Sequence, residues 1–445
     1  MYSCGYQLQD ALLFSKLNFV YLLFVYSQYT FKMKQTKSRN KVLGAFLGTI
    51  IEYYDYSLYG FSAAIIADKF FSASTDLLTK LVNVFAVYAA AYLSKPMGAY
   101  IFGRIGDIYG RKKALSFTII GIVIPTLIIG LLPDYASIGV WSTIILVLCR
   151  FMQGIFIGGE YDGAAIYVIE HLGAKYRFTA SAITRCTGVM GLLCGIGATN
   201  FFNSHIFPEW GWRIPFLLSL PLALITLYYR QKFDETPAFK KAHYSQDSIE
   251  KLSSIIKKQW KNIARLIFLA GGFGATYQIA IIFMKQYLPI ILPSVGIIMS
   301  SFSVLIVICF AVCMPIAGFI ADRLGVNSVL KIAFICTITA SVFFVIAVKY
   351  QMTNLGLATS LMLAVSVAPF NALAHSIVIK SFVVKERYRV ISLGHNIGSM
   401  LMSGTANYIC AKVIKSFDFN LFPILYLCMF AVLAYSMTIL FNRNR

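Results

Sequence analysis

Acidic residues lie inside long apolar stretches of this sequence, where an unpaired charge is costly. Glu52 and Asp55 are three residues apart, so a helix would place them on one face with Tyr56 and Tyr59. Glu160 is a third acid of this kind. A carboxylate in a water-poor cavity can bind and release a proton, so we predict that these three acids are sites of proton coupling. The alternative is that each only pairs with a buried cation or a tyrosine hydroxyl.

Two arginines in similar stretches are candidates for binding a substrate carboxylate. Arg150, Gly154 and Gly158 follow one another at intervals of four residues, and Gln153 lies beside this stripe. Glycines on such a stripe let a neighbouring backbone approach closely, and the alternative role of Arg150 is to cap backbone carbonyls. Arg185 is the second candidate. Its alternative role is an ion pair with one of the acids Glu52, Asp55 and Asp162.

Tyrosines cluster around the first two acids, at positions 53–59. The face of an aromatic ring attracts a quaternary ammonium by ~0.5–2 kcal/mol, which suits a betaine-type zwitterion whose carboxylate binds an arginine. Because the chain contains 27 Tyr and 36 Phe, a chance cluster is the alternative. The predicted substrate-binding residues are Tyr56, Tyr59, Arg150, Gln153 and Arg185.

A glycine-rich segment of mixed charge, GRIGDIYGRKK at 103–113, has a counterpart in GFIADRLG at 318–325. Aligning their aspartates gives an offset of 215 residues, which indicates an internal duplication. Such a turn can clamp neighbouring helices in one conformation and release them in another. Plain anchoring by positive charge is the alternative. The predicted gating residues are Gly103, Asp107, Gly110, Arg111, Lys112, Asp322 and Arg323.

A few other residues carry weaker signals. Lys95 precedes Pro96 and either marks a kink or lines a cavity. His375 and His395 could titrate near neutral pH, but lone histidines in apolar stretches more often pack without titrating. The nine cysteines include no CxxC pair, so we expect neither a disulfide set nor a zinc site, and no cofactor.

The composition requires lipid as the solvent for these stretches. Of 445 residues, 58% are hydrophobic and 13% are charged, whereas a soluble domain has ~25% charged residues. The sequence contains no HExxH, GxxxxGK[ST] or GxSxG motif, so neither a membrane enzyme nor ATP-driven transport by this chain alone is indicated. We therefore expect an all-α membrane protein that is not an enzyme.

Twelve apolar runs are long enough to cross a ~30 Å hydrocarbon core as helices. They are spans 1 to 12, at about 42–66, 81–103, 113–132, 138–168, 180–203, 211–229, 263–288, 297–320, 329–348, 355–379, 389–411 and 421–441. Only the segment between spans 6 and 7 is both long and polar. The predicted domains are an extension at 1–40, a six-helix half at 41–230, a linker at 231–262 and a second half at 263–445.

The distribution of positive charge predicts the topology. The segment before span 1, the loops after even-numbered spans and the C-terminal tail hold 27 of the 39 Lys and Arg, and the opposite loops hold five. Positive charge favours the cytoplasmic side, so both termini and the linker are predicted to be cytoplasmic, with residues 1–40 cytoplasmic or interfacial. The net charge of +21 is thus a topology signal and does not indicate nucleic-acid binding.

Several motifs resemble those of a known family. GRIGDIYGRKKAL and RFMQGIFIGG, which begins at Arg150, are similar to motifs of the major facilitator superfamily. In order along the chain, IEYYDYSLYG, RFMQGIFIGGEYDGA, WGWRIPFLLS and DETPAF resemble its metabolite:proton symporter branch, which includes proline/betaine, 2-oxoglutarate, shikimate and citrate carriers. The resemblance covers about 41–442. Arg185 and Asp162 depart from the pattern, since relatives tend to have an acid or amide at the first position and a small residue at the second.

The resemblance implies a twelve-helix fold of two six-helix halves. It also implies a secondary active transporter that imports a small polar metabolite, such as a proline/betaine-type zwitterion, with H+ by alternating access. The alternatives are an importer of an organic acid such as 2-oxoglutarate and a proton-coupled exporter. We expect a functional monomer in the bacterial inner membrane, in contact with lipid, substrate and H+ but not with nucleic acid.

Overall fold

The computed structural model describes residues 39–71, 77–172, 174–204, 206–231, 235, 252–296 and 298–443. Within these ranges every regular element is a helix, and the predicted all-α membrane fold is confirmed. The predicted N-terminal extension lies outside the described residues except for its last two positions, and the predicted linker is described only in part.

Helices occupy all twelve predicted positions. Spans 1 to 6 contain Arg39–Phe61 with Ala63–Phe70, Leu77–Ile108, Arg111–Leu131, Val140–Leu172, Arg177–Phe202, and Ile214–Leu217 with Ser219–Gln231. Spans 7 to 12 contain Leu252–Tyr277 with Gln278–Phe283 and Met284–Ile291, Met299–Leu324, Val326–Lys349, Thr353–Val378, Val384–Gly398 with Ser399–Ser403 and Gly404–Phe417, and Phe422–Arg443. Short helices lie between them at Tyr135–Ile138, Ala174–Tyr176, Gly211–Arg213, Pro293–Val295 and Ile379–Ser381.

Nine helices among the described residues are long and apolar enough to cross a membrane, and these lie in spans 3 to 10 and 12. Spans 1, 2 and 11 fall outside that group. They carry polar residues of the protein interior, such as Glu52 in span 1, Lys95 in span 2 and His395 in span 11. Their lower hydropathy therefore reflects what they contribute to the centre of the molecule.

The packing of the first half is repeated in the second. Span 1 packs against span 5, span 2 against span 4, span 3 against span 4, and span 6 against spans 1 and 3. Six spans later, span 7 packs against span 11, span 8 against span 10, span 9 against span 10, and span 12 against spans 7 and 9. The halves meet where span 2 packs on span 11 and span 5 on span 8. This arrangement agrees with the duplication that the two aspartate motifs indicate.

The glycine stripe of span 4 determines how closely it packs on span 2. A Cβ atom at Gly154 would overlap the carbonyl oxygen of Ala91, and one at Gly158 would overlap that of Lys95. Only glycine permits this approach of the two backbones. The contact fixes the position of Lys95 along the axis of span 4.

The helix of span 7 begins at Leu252, within the segment assigned to the linker. Its backbone departs from helical geometry at Gln259, where φ is −121° and ψ is 19°. The polar residues before this kink therefore extend the helix beyond the apolar run, because a helix continues wherever its hydrogen bonds can be made and does not stop where hydropathy falls. Arg230, counted above with the loop charges, is buried in the first half.

Candidate functional site

A cavity of about 90 Å³ lies between the two halves. The first half contributes Glu52, Tyr53, Tyr56, Tyr92, Lys95, Ile157, Tyr161, Arg185 and Val189. The second half contributes Ala270, Phe273, Gly274, Tyr277, Phe310, Met314, Asn371, Ala374, His395, Asn396, Ser399 and Ser403. Of the predicted substrate-binding and coupling residues, Glu52, Tyr56 and Arg185 thus line the cavity.

The cavity holds two cations and one acid from the first half. Lys95 Nζ lies 4.0 Å from the centroid of the Tyr92 ring, and Arg185 Cζ lies 3.8 Å from that of Tyr161. Among the described residues, no carboxylate lies within 4.0 Å of either cation. Aromatic faces therefore hold both cations without neutralising them.

Four buried polar atoms around the cavity have no hydrogen-bond partner in the described chain. They are Glu52 Oε2, Arg185 Nε, and the hydroxyls of Tyr161 and Tyr277. Because a buried polar atom is normally satisfied, these atoms indicate that a polar ligand occupies the cavity during function. Arg185 Nε and the hydroxyls can donate hydrogen bonds, and the carboxylate of Glu52 accepts them.

A polar cluster joins the halves at one end of the cavity. The Gln278 amide nitrogen donates to the hydroxyls of Tyr56, at 3.0 Å, and of Tyr92, and these two hydroxyls also contact each other. Asn407 Nδ2 donates to Gln278 Oε1 at 3.3 Å. Span 7 therefore binds spans 1 and 2 through side chains that also border the cavity.

Two π-helical segments interrupt the helices next to the cavity. Gln278–Phe283 lies in span 7, and Ser399–Ser403 lies in span 11. Insertions of this kind loosen a helix locally and are frequent at functional sites. Here they place Gln278 in the polar cluster that joins the two halves, and they expose Ser399 and Ser403 to the cavity.

The remaining predicted substrate residues form a separate network inside the first half, away from the cavity lining. Arg150 Nη1 donates to Gln153 Oε1 at 2.9 Å, and Gln153 Nε2 donates to Thr126 Oγ1 at 2.6 Å. Thr126 Oγ1 in turn lies 3.3 Å from Asp55 Oδ2. The guanidinium of Arg150 also covers the ring of Tyr59, at 4.3 Å from its centroid. Asp55 and Arg150 are therefore linked through two neutral side chains.

Glu160, the third predicted coupling acid, is fully buried beside Arg230 of span 6. Arg230 Nη1 lies 3.1 Å from Glu160 Oε2, and the Thr118 hydroxyl also donates to that oxygen. The structure thus places Glu160 in an ion pair between spans 4 and 6, outside the cavity lining.

Asp107, at the end of span 2, joins the two halves. Its Oδ1 lies 3.3 Å from Arg111 Nη1, and its Oδ2 lies 3.8 Å from Arg389 Nε of span 11. The Arg389 backbone N–H also donates to Oδ2, at 3.4 Å, and Arg111 donates to the Val384 carbonyl at 3.2 Å. Gly103 faces this contact, since a Cβ atom there would lie 2.9 Å from the Cα of Arg389. These interactions are the Asp107 latch.

The other predicted residues of this loop contact the segment after span 6. Gly110 has a φ of +100°, a conformation that favours glycine. Lys112 follows it, and its backbone N–H donates to Glu235 Oε2 at 3.2 Å while its Nζ donates to the Gln231 carbonyl at 2.8 Å. The loop therefore contacts both the linker and the second half.

Asp322 makes the corresponding contact from the second half. Its carboxylate accepts hydrogen bonds from the backbone N–H groups of Phe178, at 3.2 Å, and Thr179, at 2.9 Å, and from the Thr179 hydroxyl at 2.6 Å. This acid therefore binds the start of the span 5 helix, where the helix dipole favours negative charge. These interactions are the Asp322 latch. Arg323 is exposed and lies against the ring of Phe319.

A buried cluster was not foreseen as a unit, because Asp162 is more than 200 residues from His375 and His395 in sequence. Asp162 Oδ1 lies 2.6 Å from His375 Nε2 and 3.1 Å from His395 Nδ1. Asn396 Nδ2 donates to Asp162 Oδ2 at 3.1 Å, and Arg185 Nη2 lies 3.2 Å from His375 Nδ1. The sequence signals were separate ones: Asp162 stands where related transporters tend to have a small residue, and His375 and His395 are titratable residues in apolar stretches.

Asp162, His375 and His395 each bring a ligand atom within 4.8 Å of the others, a spacing that could hold a metal ion. Arg185 disfavours that use, because its positive charge lies against His375 and repels a second cation. A guanidinium can only donate a hydrogen bond, so Arg185 donates to His375 Nδ1. The proton of His375 must then be on Nε2, the nitrogen that faces Asp162, and this nitrogen is therefore not available to a metal ion. The cluster therefore fits a hydrogen-bonded network better than a metal site.

Comparison with known proteins agrees with this architecture. Residues 41–262 match the family described as Sugar (and other) transporter. The chain is 31% identical over 421 residues to the proline/betaine transporter of Salmonella typhimurium, covering 89% of this chain and 82% of that protein. It is also 31% identical over 421 residues to the glycine betaine/proline/ectoine/pipecolic acid transporter OusA of Dickeya dadantii, covering 89% and 81% of the two chains.

Solved structures show the same fold. The proton:xylose symporter XylE bound to 6-bromo-6-deoxy-D-glucose superposes with a TM-score of 0.72 at 15% identity, covering 89% of this chain and 94% of that one. A partially occluded inward open conformation of XylE from E. coli gives a TM-score of 0.69 at 15% identity, covering 89% and 96%.

A helical membrane protein with two duplicated halves around a cavity that contains charged residues has the architecture of a secondary transporter. Its helices cross the membrane many times, and its substrate is a small molecule. The chain belongs to the major facilitator superfamily, in the branch that includes the proline/betaine transporters. The family predicted from the motifs is confirmed.

Proposed function

We propose that this protein imports a small zwitterion of the proline or betaine type together with H+ by alternating access. The observation that carries the proposal is the set of unpartnered polar atoms around the cavity, which combines hydrogen-bond donors with a carboxylate. A zwitterion has a carboxylate to accept from the donors and a cationic nitrogen to approach the acid. The relatives' substrates, including proline, glycine betaine and ectoine, are molecules of this kind.

The substrate carboxylate binds Arg185 in this proposal, assisted by the charge of Lys95. Charge-assisted hydrogen bonds to a carboxylate are about twice as strong as neutral ones, and Arg185 Nε has no other partner among the described residues. The substrate ammonium lies near Glu52 and the tyrosine rings, where each ring contributes ~0.5–2 kcal/mol.

Proton coupling uses the acids of span 1. Glu52 is only 3% exposed, yet it lines the cavity, so it can respond directly to a bound substrate. Asp55 is linked to Arg150 through Thr126 and Gln153, so a change in its charge would act on span 4 through that network. Two states with different surroundings for such an acid are sufficient to link proton binding to substrate binding.

An importer of an organic dianion such as 2-oxoglutarate is the second candidate. The cavity carries two cations and one acid, and protonation of Glu52 would leave a site suited to two carboxylates. The zwitterion is preferred because of the aromatic lining. In either case we place the protein in the bacterial inner membrane as a functional monomer, with both termini cytoplasmic as the distribution of Lys and Arg predicts.

Uptake of labelled L-proline, glycine betaine and 2-oxoglutarate into vesicles, with and without an inward proton gradient, tests the function. We expect one of the zwitterions to accumulate only with the gradient. Arg185→Gln should weaken its binding by about tenfold or more, because a charged hydrogen-bond donor is lost. Arg104→Gln, at an exposed position outside the cavity, is the control.

If only 2-oxoglutarate accumulates, the substrate is the organic dianion and not the zwitterion. Extrusion of substrate by an inward proton gradient would identify an exporter. If none of the three compounds moves in either direction, the proposed function is wrong.

A further inference from the structure

The cluster around Asp162 joins the two halves between the cavity and the Asp107 latch. Asp162 comes from span 4 of the first half, whereas His375 and His395 come from spans 10 and 11 of the second. Asn396 adds a hydrogen bond to the Gly158 carbonyl at 3.0 Å besides its bond to Asp162. Any opening between the halves on this side must separate these groups.

The proton positions within the cluster follow from the donors and acceptors. Arg185 can only donate, so His375 accepts at Nδ1 and carries its proton on Nε2, which donates to Asp162. His395 faces the same carboxylate with Nδ1, so this nitrogen also carries a proton. His395 therefore keeps Nε2 free for a second proton, whereas a second proton on His375 would face the Arg185 guanidinium.

Access to the cavity also distinguishes the two histidines. His375 is 2% exposed and is absent from the cavity lining. His395 lines the cavity, its side chain is 16% exposed, and its ring stacks on Tyr161 with centroids 5.3 Å apart. A proton from the cavity can therefore reach His395 without disturbing His375.

We propose that His395, held against Asp162, is a proton site of the transport cycle that is filled while the halves are joined here and emptied when they separate. The inference rests on the proposed function. In the joined arrangement an imidazolium at His395 and the carboxylate of Asp162 form a neutral pair. Separation removes the carboxylate partner of the imidazolium and opens a path to water, so the proton departs through the newly opened side. Proton import requires this order, in which the site is filled while the halves are joined here and emptied after they separate.

Other ionisable groups share the cavity lining with His395 or contact it directly. They are Glu52 of span 1, Lys95 of span 2, Tyr161 and Asp162 of span 4, Arg185 of span 5, Tyr277 of span 7 and His375 of span 10. Asp162 is the acid in direct contact, at 3.1 Å. Arg185 acts through His375, which separates it from the pair.

The first test measures the accumulation ratio of the substrate. It uses a proton gradient of about one pH unit and a membrane potential clamped at zero. Each cotransported proton supports up to about tenfold accumulation per pH unit. His395→Gln should lower the ratio by about tenfold, with substrate exchange preserved. His375→Gln should slow uptake but leave the final ratio within about twofold of wild type. Equal ratios for wild type and His395→Gln would overturn the proposal, and so would equal losses in the two variants.

A substrate-free measurement separates this inference from the proposed function. The full-length protein is labelled with 15N-histidine, and the His395 signal is assigned by its loss in His395→Gln. In Asp162→Asn, the 15N chemical shifts of His395 at a fixed pH should differ from those of the wild type, because Nδ1 loses its contact with the Asp162 carboxylate. Unchanged shifts would overturn the inference. Wild-type vesicles that accumulate none of the three solutes would instead contradict the proposed function.

Discussion

Glu52 and Asp55 are neighbours on one helix but have different surroundings. Glu52 lines the cavity, whereas Asp55 points into the first half and contacts Thr126 of span 3. A position difference of three residues rotates a helical side chain by about 60° from its neighbour, which is enough to separate an acid that meets the substrate from one that does not. The two acids are therefore suited to different roles.

We expect Glu52→Gln or Asp55→Asn to abolish accumulation driven by a proton gradient while exchange of labelled for unlabelled substrate continues. A neutral amide cannot carry the proton whose movement drives accumulation. Vesicle uptake with and without a pH gradient measures this effect. Glu160→Gln is the comparison, and should reduce stability because Arg230 would remain buried without its acid, at a cost of ~3–5 kcal/mol. Normal accumulation in both Glu52→Gln and Asp55→Asn would place coupling elsewhere.

The sequence showed some of these residues but not their grouping. Glu52, Tyr56 and Arg185 could be predicted because a polar residue in an apolar helix must face a protein interior. Helical periodicity does not show which part of the protein interior a residue faces. The sequence therefore could not show that Arg150 and Gln153 lie outside the cavity lining. The Asp162 cluster could not be predicted, because His375 and His395 look like single packing residues until the halves are brought together.

Spans 2 and 4 form an element pair whose contact depends on glycine. Gly154 of span 4 lies against the Ala91 carbonyl of span 2, whereas no described residue lies within 4 Å of a Cβ atom placed at Gly197 of span 5. We expect Gly154→Ala to destabilise the protein by ~1–3 kcal/mol through overpacking. Gly197→Ala, the matched control, should change stability little. Thermal unfolding in detergent measures both, and similar midpoints would contradict this account of the packing.

Helix positions followed from hydropathy, but details within the helices did not. All twelve segments lie where the apolar runs predict. The early start of span 7 at Leu252 and the π-helical segments at Gln278–Phe283 and Ser399–Ser403 have no counterpart in that pattern. Hydropathy reports which residues avoid water. It carries no information on local changes of hydrogen bonding along the backbone.

The two latches act at the scale of the whole molecule. We expect Asp107→Ala to lower the transport rate by at least about tenfold and to leave equilibrium substrate binding within about twofold. The reason is that Asp107 contacts the backbone N–H and the guanidinium of Arg389 across the two halves, so its loss weakens the closed arrangement. Uptake kinetics and equilibrium binding to the purified protein measure the two quantities. Equal losses of binding and transport would show that the loop belongs to the substrate site or is purely structural.

The Asp107 and Asp322 latches are related by the duplication, since each acid accepts a backbone hydrogen bond from a helix in the opposite half. We predict that together they form a closed gate, which would then be bivalent. When one contact breaks, the other keeps the separated groups at a high effective concentration, so the broken contact re-forms before the halves can drift apart. Opening then requires both contacts to be broken at once, which makes it all-or-none. A half-open gate, through which protons could leak down their gradient without substrate, is consequently short-lived.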